Sequence, residues 1–87
     1  MLSTIKVPGG KLLQLRAEMH AGKLSKPKLT GDFFLMPSEK IIELERAMEG
    51  SELEGLAEKL EKIITQHHIE LVGISTNDIE RAARMLK

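Results

Sequence analysis

The chain has 87 residues, enough for one domain, and its 13 basic residues balance 13 acidic ones. A neutral domain has no long-range field to gather phosphates, which argues against a dedicated nucleic-acid binder. The absence of cysteine excludes disulfides, thiolate metal sites and Cys nucleophiles, and with no apolar run near the roughly 20 residues of a membrane span and no apolar signal core, a cytoplasmic location is expected.

The first third reads as strands. Residues 3–7 form a short one. In residues 11–20, Leu13, Leu15, Ala17 and Met19 alternate with Gln14, Arg16, Glu18 and His20, which gives one apolar and one wet face. Pro8-Gly9-Gly10 between them is a turn signal, because Gly accepts positive φ and Pro fixes φ near about −65°. Ala21-Gly22-Lys23 is a second turn, and residues 24–29 read as a third strand. Pro27 has no amide donor, so this strand is expected at a sheet edge or interrupted there.

The remainder reads as helices. Pro37 suits a first helical turn, and Ile41, Leu44, Ala47 and Met48 follow at helical spacing up to a stop at Gly50. Ser51 with Glu54 has the form of a capping box. Beyond it Leu53, Leu56, Ala57, Leu60, Ile63 and Ile64 make the cleanest stripe in the chain, with Glu58 and Lys62 as an i,i+4 pair outside it. Residues 69–74 form an apolar connector, a packed loop or a brief extended piece, with Gly73 favouring the loop. Ser75 with Asp78 repeats the capping pattern before a last helix marked by Ile79, Ala82, Ala83 and Leu86. Strands first and helices after argue an α+β fold: a three-stranded antiparallel β-meander followed by three helices packed on one face.

Two short stretches stand out. Lys6 and Lys11 flank the Gly9-Gly10 turn. They are either two surface lysines on a hairpin tip or contacts to an anion or an acidic patch on a partner, with the glycine amides adding to an anion cradle. The turn is no Walker loop, since Gly10-Lys11 lacks the upstream glycine and the following Ser/Thr. Gly31-Asp32-Phe33-Phe34 is either a structural junction or an interface. In the structural reading Gly31 supplies backbone freedom, Asp32 forms an Asx-turn and the two Phe anchor the sheet to the helices. His67-His68 point to different faces and fit a helix C-terminus better than a metal pair, so no metal site is expected. The acid-rich stretch 39–61 reads as a solvated helix surface. Between residues 6 and 28 lie five Lys and one Arg against the single acid Glu18, while the acids concentrate from Asp32 to Asp78. Such a division suits docking onto something charged. No nucleophile–base pair, and hence no catalytic residue, can be named.

The order of these motifs resembles the small C-terminal accessory domain of lipoate–protein ligases over nearly the whole chain. The resemblance is carried most by residues 6–11 (K-V-P-G-G-K), 31–34 (G-D-F-F) and 71–78. It implies a fold similar to that of the Fe–S assembly scaffolds (SufE/NifU-like), and the lack of cysteine argues against cluster carriage. In that family a larger domain binds ATP and lipoate, forms lipoyl-AMP and transfers lipoyl to an acceptor lysine. The sequence contains no R-R-x-x-G-G-G stretch and no catalytic lysine motif of that domain. Beginning at Met1, just before the shared region, it looks like the small subunit of a bipartite ligase.

The resemblance therefore implies a non-catalytic subunit in a heterodimer with a large catalytic subunit. No cofactor is bound by this chain alone, ATP, Mg and lipoate are used by the complex, and lipoyl-acceptor domains of 2-oxoacid dehydrogenase or glycine cleavage proteins are indirect partners. Neither nucleic acid nor membrane is implied. The alternative is a protein–protein adaptor or scaffold module with an unrelated client.

Overall fold

Alternation of apolar and polar residues lays down the sheet. In the computed structural model, which describes residues 1–9 and 11–87, strands β1 (Leu2–Val7), β2 (Lys11–His20) and β3 (Lys23–Gly31) pair antiparallel in the order β1-β2-β3. The register sets Leu2 opposite Arg16 and Val7 opposite Lys11 in the first pair, and Leu13 opposite Gly31 and His20 opposite Lys23 in the second. The two-residue turn between β2 and β3 has Ala21 and Gly22 both at positive φ, as a primed hairpin turn requires. This is the expected meander, with β3 at an edge as Pro27 demands.

Strand β3 carries a problem that its sequence poses and its backbone solves. Leu24 and Leu29 are both buried, yet they lie an odd number of residues apart, and a regular strand sends such residues to opposite faces. Between Ser25 and Lys28 the strand holds one residue more than β2 does between Arg16 and Glu18. Lys26 takes up the bulge at φ +55°, and the alternation resumes in the opposite phase, so both leucines face the core.

A short strand β4 (Phe34–Met36) follows, then a 3-10 turn at Ser38–Lys40 and helix α1 (Ile41–Met48). Pro37 precedes the turn in extended conformation instead of occupying a first helical position. Helix α2 (Leu56–His67), strand β5 (Glu70–Val72) and helix α3 (Thr76–Arg84) complete the chain. β5 pairs antiparallel with β4 in a separate two-stranded ribbon, so the apolar connector is extended, not a packed loop, and Gly73 with φ +98° ends it. Helix α1 lies against β3, α3 against β1 and β2, and α2 packs on both. Leu13, Leu15, Leu24, Leu44, Met48, Leu56, Leu60 and Ile79 are fully buried between the layers, each aliphatic side chain contributing about 1.5–3 kcal/mol.

Two helix starts come out differently. At α3 the expected box forms: Ser75 Oγ accepts from the Asp78 amide at 3.2 Å and Asp78 Oδ2 accepts from the Ser75 amide at 2.8 Å. At Ser51–Glu54 it does not. Ser51 is buried beside the β2–β3 hairpin: its carbonyl accepts the Leu24 amide at 2.9 Å, and its hydroxyl donates to the Ala47 carbonyl and accepts from Lys59 Nζ. With Ser51 held there, α2 begins only after Gly55, whose φ of +79° turns the chain. The Ala57 amide is capped from outside by Glu80 Oε1 of α3 at 2.8 Å. Glu58 and Lys62 form no ion pair among the described residues.

The acid-rich stretch is likewise more than a solvated surface. Glu49 Oε1 accepts from the Lys26 amide at 2.8 Å, Glu45 Oε2 from the Leu29 amide at 2.9 Å, and Glu61 from the Thr76 hydroxyl at 3.0 Å. The ends of the chain meet: the Leu2 amide donates to the Lys87 carbonyl at 3.0 Å, and the Met1 carbonyl accepts from Ala17.

Ser3 faces the core, and its hydroxyl is buried with no partner. A stranded hydroxyl is costly, so Ser3→Ala should stabilise the fold by about 1 kcal/mol, read as a raised urea midpoint at unchanged slope. The Glu80 carboxyl is held below its ordinary pKa by the Ala57 amide first and by Arg84 second. Its contribution to stability is therefore complete above about pH 5 and is lost as pH falls through the lowered native value. Glu80→Gln should weaken the fold at neutral pH, and the gap to the parent should narrow towards about pH 3 in urea titrations run across that range.

Candidate functional site

Parts of the two stretches that stand out in the sequence meet at the tip of the β1–β2 hairpin. A cleft of about 430 Å³ is lined there by Gly9, Lys11, Gly31, Asp32, Phe33 and Phe34. Gly31 ends β3 with φ +150°, and a Cβ on it would lie 2.2 Å from the Leu12 carbonyl oxygen, so only glycine allows this approach. The same carbonyl accepts the Asp32 amide at 2.9 Å, which fixes the junction to the start of β2. From the other side Gly73 packs against the Lys11 stem and the Phe33 backbone, with Lys11 Cγ 3.5 Å from where a Cβ would stand. The G-D-F-F junction, the hairpin lysine and the end of β5 thus meet although they are far apart in sequence.

The two lysines of the turn do not meet. Lys6 is exposed in the same phase as Leu2 and Thr4 on the open side of the sheet, whereas Lys11 is half-buried in the phase of Leu13 and Leu15 and lines the cleft. Gly10 lies outside the described residues. The cleft therefore offers one ammonium group and one carboxylate, Lys11 and Asp32, which are not ion-paired with each other. That balance suits a polar contact surface better than a cradle for a polyphosphate. Among the described residues no group of three or more His, Asp or Glu is placed to hold a metal ion. His68 caps α2 in a left-handed conformation at φ +53° beside His67 in the last turn, as expected for a helix end.

The two phenylalanines part company. Phe33 packs against the core, but Phe34 is 63% exposed and anchors nothing. The β4–β5 register explains why: Phe34 stands opposite Val72, and Met36 follows two residues on in the same phase. Phe34, Met36 (58% exposed) and Val72 (47%) form an apolar face on the ribbon, next to the cleft that Phe34 also lines. The sequence hid this face, because three-residue strands are too short to show a period. Its signal was the pairing of Phe34 with an apolar connector 38 residues later. Exposed Glu70 stands opposite Met36 on the same face, and an exposed aromatic beside methionine with a carboxylate next to it has the composition of a protein–protein contact.

No known family model matches the chain, and no curated protein matches it in sequence. A chain in the solved structure of an archaeal lipoylation system, a bi-partite lipoate protein ligase and its E2 lipoyl domain from Thermoplasma acidophilum, shares the fold. The match has a TM-score of 0.82 at 21% identity and covers 99% of this chain and 96% of that one. Gly31→Ala, which puts a methyl group into a backbone carbonyl, should destabilise the domain by about 2–4 kcal/mol in equilibrium urea unfolding.

Proposed function

We propose that this chain is the non-catalytic small subunit of a lipoate–protein ligase and works as a heterodimer with a separate large catalytic subunit. The observation that carries this reading is the end-to-end likeness in fold to a chain of a bipartite lipoylation system. The site geometry supports it. An apolar Phe34/Met36/Val72 face beside a polar cleft is a surface for another protein, and among the described residues no nucleophile with a positioned base lines that cleft. The complex joins the lipoate carboxylate to AMP with release of pyrophosphate, and the amine of an acceptor-domain lysine then takes the lipoyl group as an amide while AMP leaves. ATP, Mg²⁺ and lipoate are held by the large subunit. Acceptors are lipoyl domains of the kind found in 2-oxoacid dehydrogenase and glycine cleavage proteins. The role of this chain is to complete the adenylate-forming site by docking, with Lys11 at the contact.

The test is lipoate-dependent ATP–pyrophosphate exchange with each subunit alone and with both. The mixture should exceed the large subunit alone by about tenfold or more, and this chain alone should be inactive. Phe34→Asp, at an exposed position, should leave the unfolding free energy within about 0.5 kcal/mol of the parent and cost about 2 kcal/mol of association. A large subunit that activates lipoate equally well by itself refutes the reading.

A further inference from the structure

The open face of the three-stranded sheet carries a charge arrangement that the fold alone does not favour. Across its middle, Thr4, Gln14 and Thr30 stand in register and are joined by hydrogen bonds, Gln14 Nε2 donating to Thr4 Oγ1 at 3.3 Å and Thr30 Oγ1 donating to Gln14 Oε1 at 3.4 Å. One row further, Arg16 lies directly opposite Lys28, both exposed on the same face. Like charges in directly opposed positions destabilise a sheet. Lys28 finds partial relief from Glu45 at 3.9 Å, but Arg16 and Lys6 have no ionic partner among the described residues. The imbalance extends over the whole hairpin region. Residues 1–31 hold six basic residues against one acid, a net +5, and residues 32–87 hold seven against twelve, a net −5. The sheet is thus the positive side of a neutral molecule.

This face is continuous with the cleft. The row that pairs Lys6 with Leu12 ends at the Leu12 carbonyl, which receives the Asp32 amide at the cleft wall. Leu2 and Leu12, each 41% exposed, flank the polar ladder. A partner seated on the cleft therefore meets the basic rows next. Nucleic acid fits poorly, because twelve carboxylates follow in the same neutral chain and no aromatic residue stands on the face to stack on bases. A lipid surface fits poorly, because the centre of the face is an amide–hydroxyl ladder, not an apolar wedge. We propose that the open sheet face docks an acidic surface of the same catalytic subunit that covers the cleft, and that Arg16 and Lys28 are kept side by side for that contact. The proposal rests on the reading of this chain as a ligase subunit.

Arg16→Glu separates docking from folding, because it replaces a like-charge cross-strand pair with an opposite one. Association of the full-length chain with the purified catalytic subunit is followed by stopped-flow fluorescence at about 10 mM salt, where the screening length is about 30 Å, and at about 0.1 M, where it is about 10 Å. The variant should keep or raise the unfolding midpoint and associate about three- to tenfold more slowly at low salt, with the deficit shrinking at higher salt and dissociation little changed. Arg16→Gln should fall between. Association of Arg16→Glu at the parent rate with the same salt dependence overturns the proposal and leaves the subunit reading standing. Failure of the parent to bind the catalytic subunit at all overturns both. Tighter binding of the parent to a DNA duplex or to phosphatidylserine vesicles, lost in Arg16→Glu, also overturns it by giving the face another occupant.

Discussion

Two carboxylates at the end of α1, Glu45 in the helix and Glu49 at its C-cap, sit on the outer edge of β3 and tie the helical layer to the sheet. Glu45 and Glu49 are one helical turn apart, about 6 Å along the axis, and accept the amides of Leu29 and Lys26. In a regular edge strand, amides an odd number of residues apart point in opposite directions. The bulge at Lys26 turns both outward, and Pro27 between them has no amide to strand. The same irregularity puts Leu24 and Leu29 into the core. One backbone distortion thus solves two problems of parity, and the edge that would otherwise be open to another strand is closed by its own helix.

The register of the sheet end carries over to the site. Gly31 and Asp32 continue β3 directly, so the cleft wall inherits the register of the sheet. Behind the cleft, Gly73 just after β5 backs the Lys11 stem and Phe33, and is tied to the junction through the β4–β5 ribbon. Lys11 lies between them with its stem half-buried, an arrangement that aims a charge without a loop to hold it. The apolar ribbon face beside it is small, and a stable complex of usual size needs more contact than this face alone supplies.

How far the sequence could be read depended on whether a signal was periodic or paired. The alternation in β2 and the stripe of α2 were plain, as was the Ser75–Asp78 box, because each rests on residues within a few positions of one another. Ser51–Glu54 had the same local form and failed because a distant hairpin claimed the serine backbone. The ribbon was invisible for a related reason: β4 and β5 are strands only by virtue of each other. At the site, Gly31, Asp32, Phe33, Gly9 and Lys11 stand out in the sequence and do come together. Lys6 and Lys11 flank one turn in the sequence, but alternation across the sheet sends the two to opposite sides. The exposure of Phe34 follows from the β4–β5 pairing, while Phe33 just before it packs partly against the core, and composition reveals neither.

The hydrogen bond between the first and last turns of the chain has a topological corollary. Both termini leave the domain at the Leu2 end of β1, and the cleft lies at the Val7 end, about 17 Å away along an extended strand. A tether, tag or neighbouring domain spliced to either end emerges at the pole remote from the hairpin tip. A chain joined at either end therefore stays clear of the cleft and enters beside the Arg16 row, which Leu2 faces across the sheet.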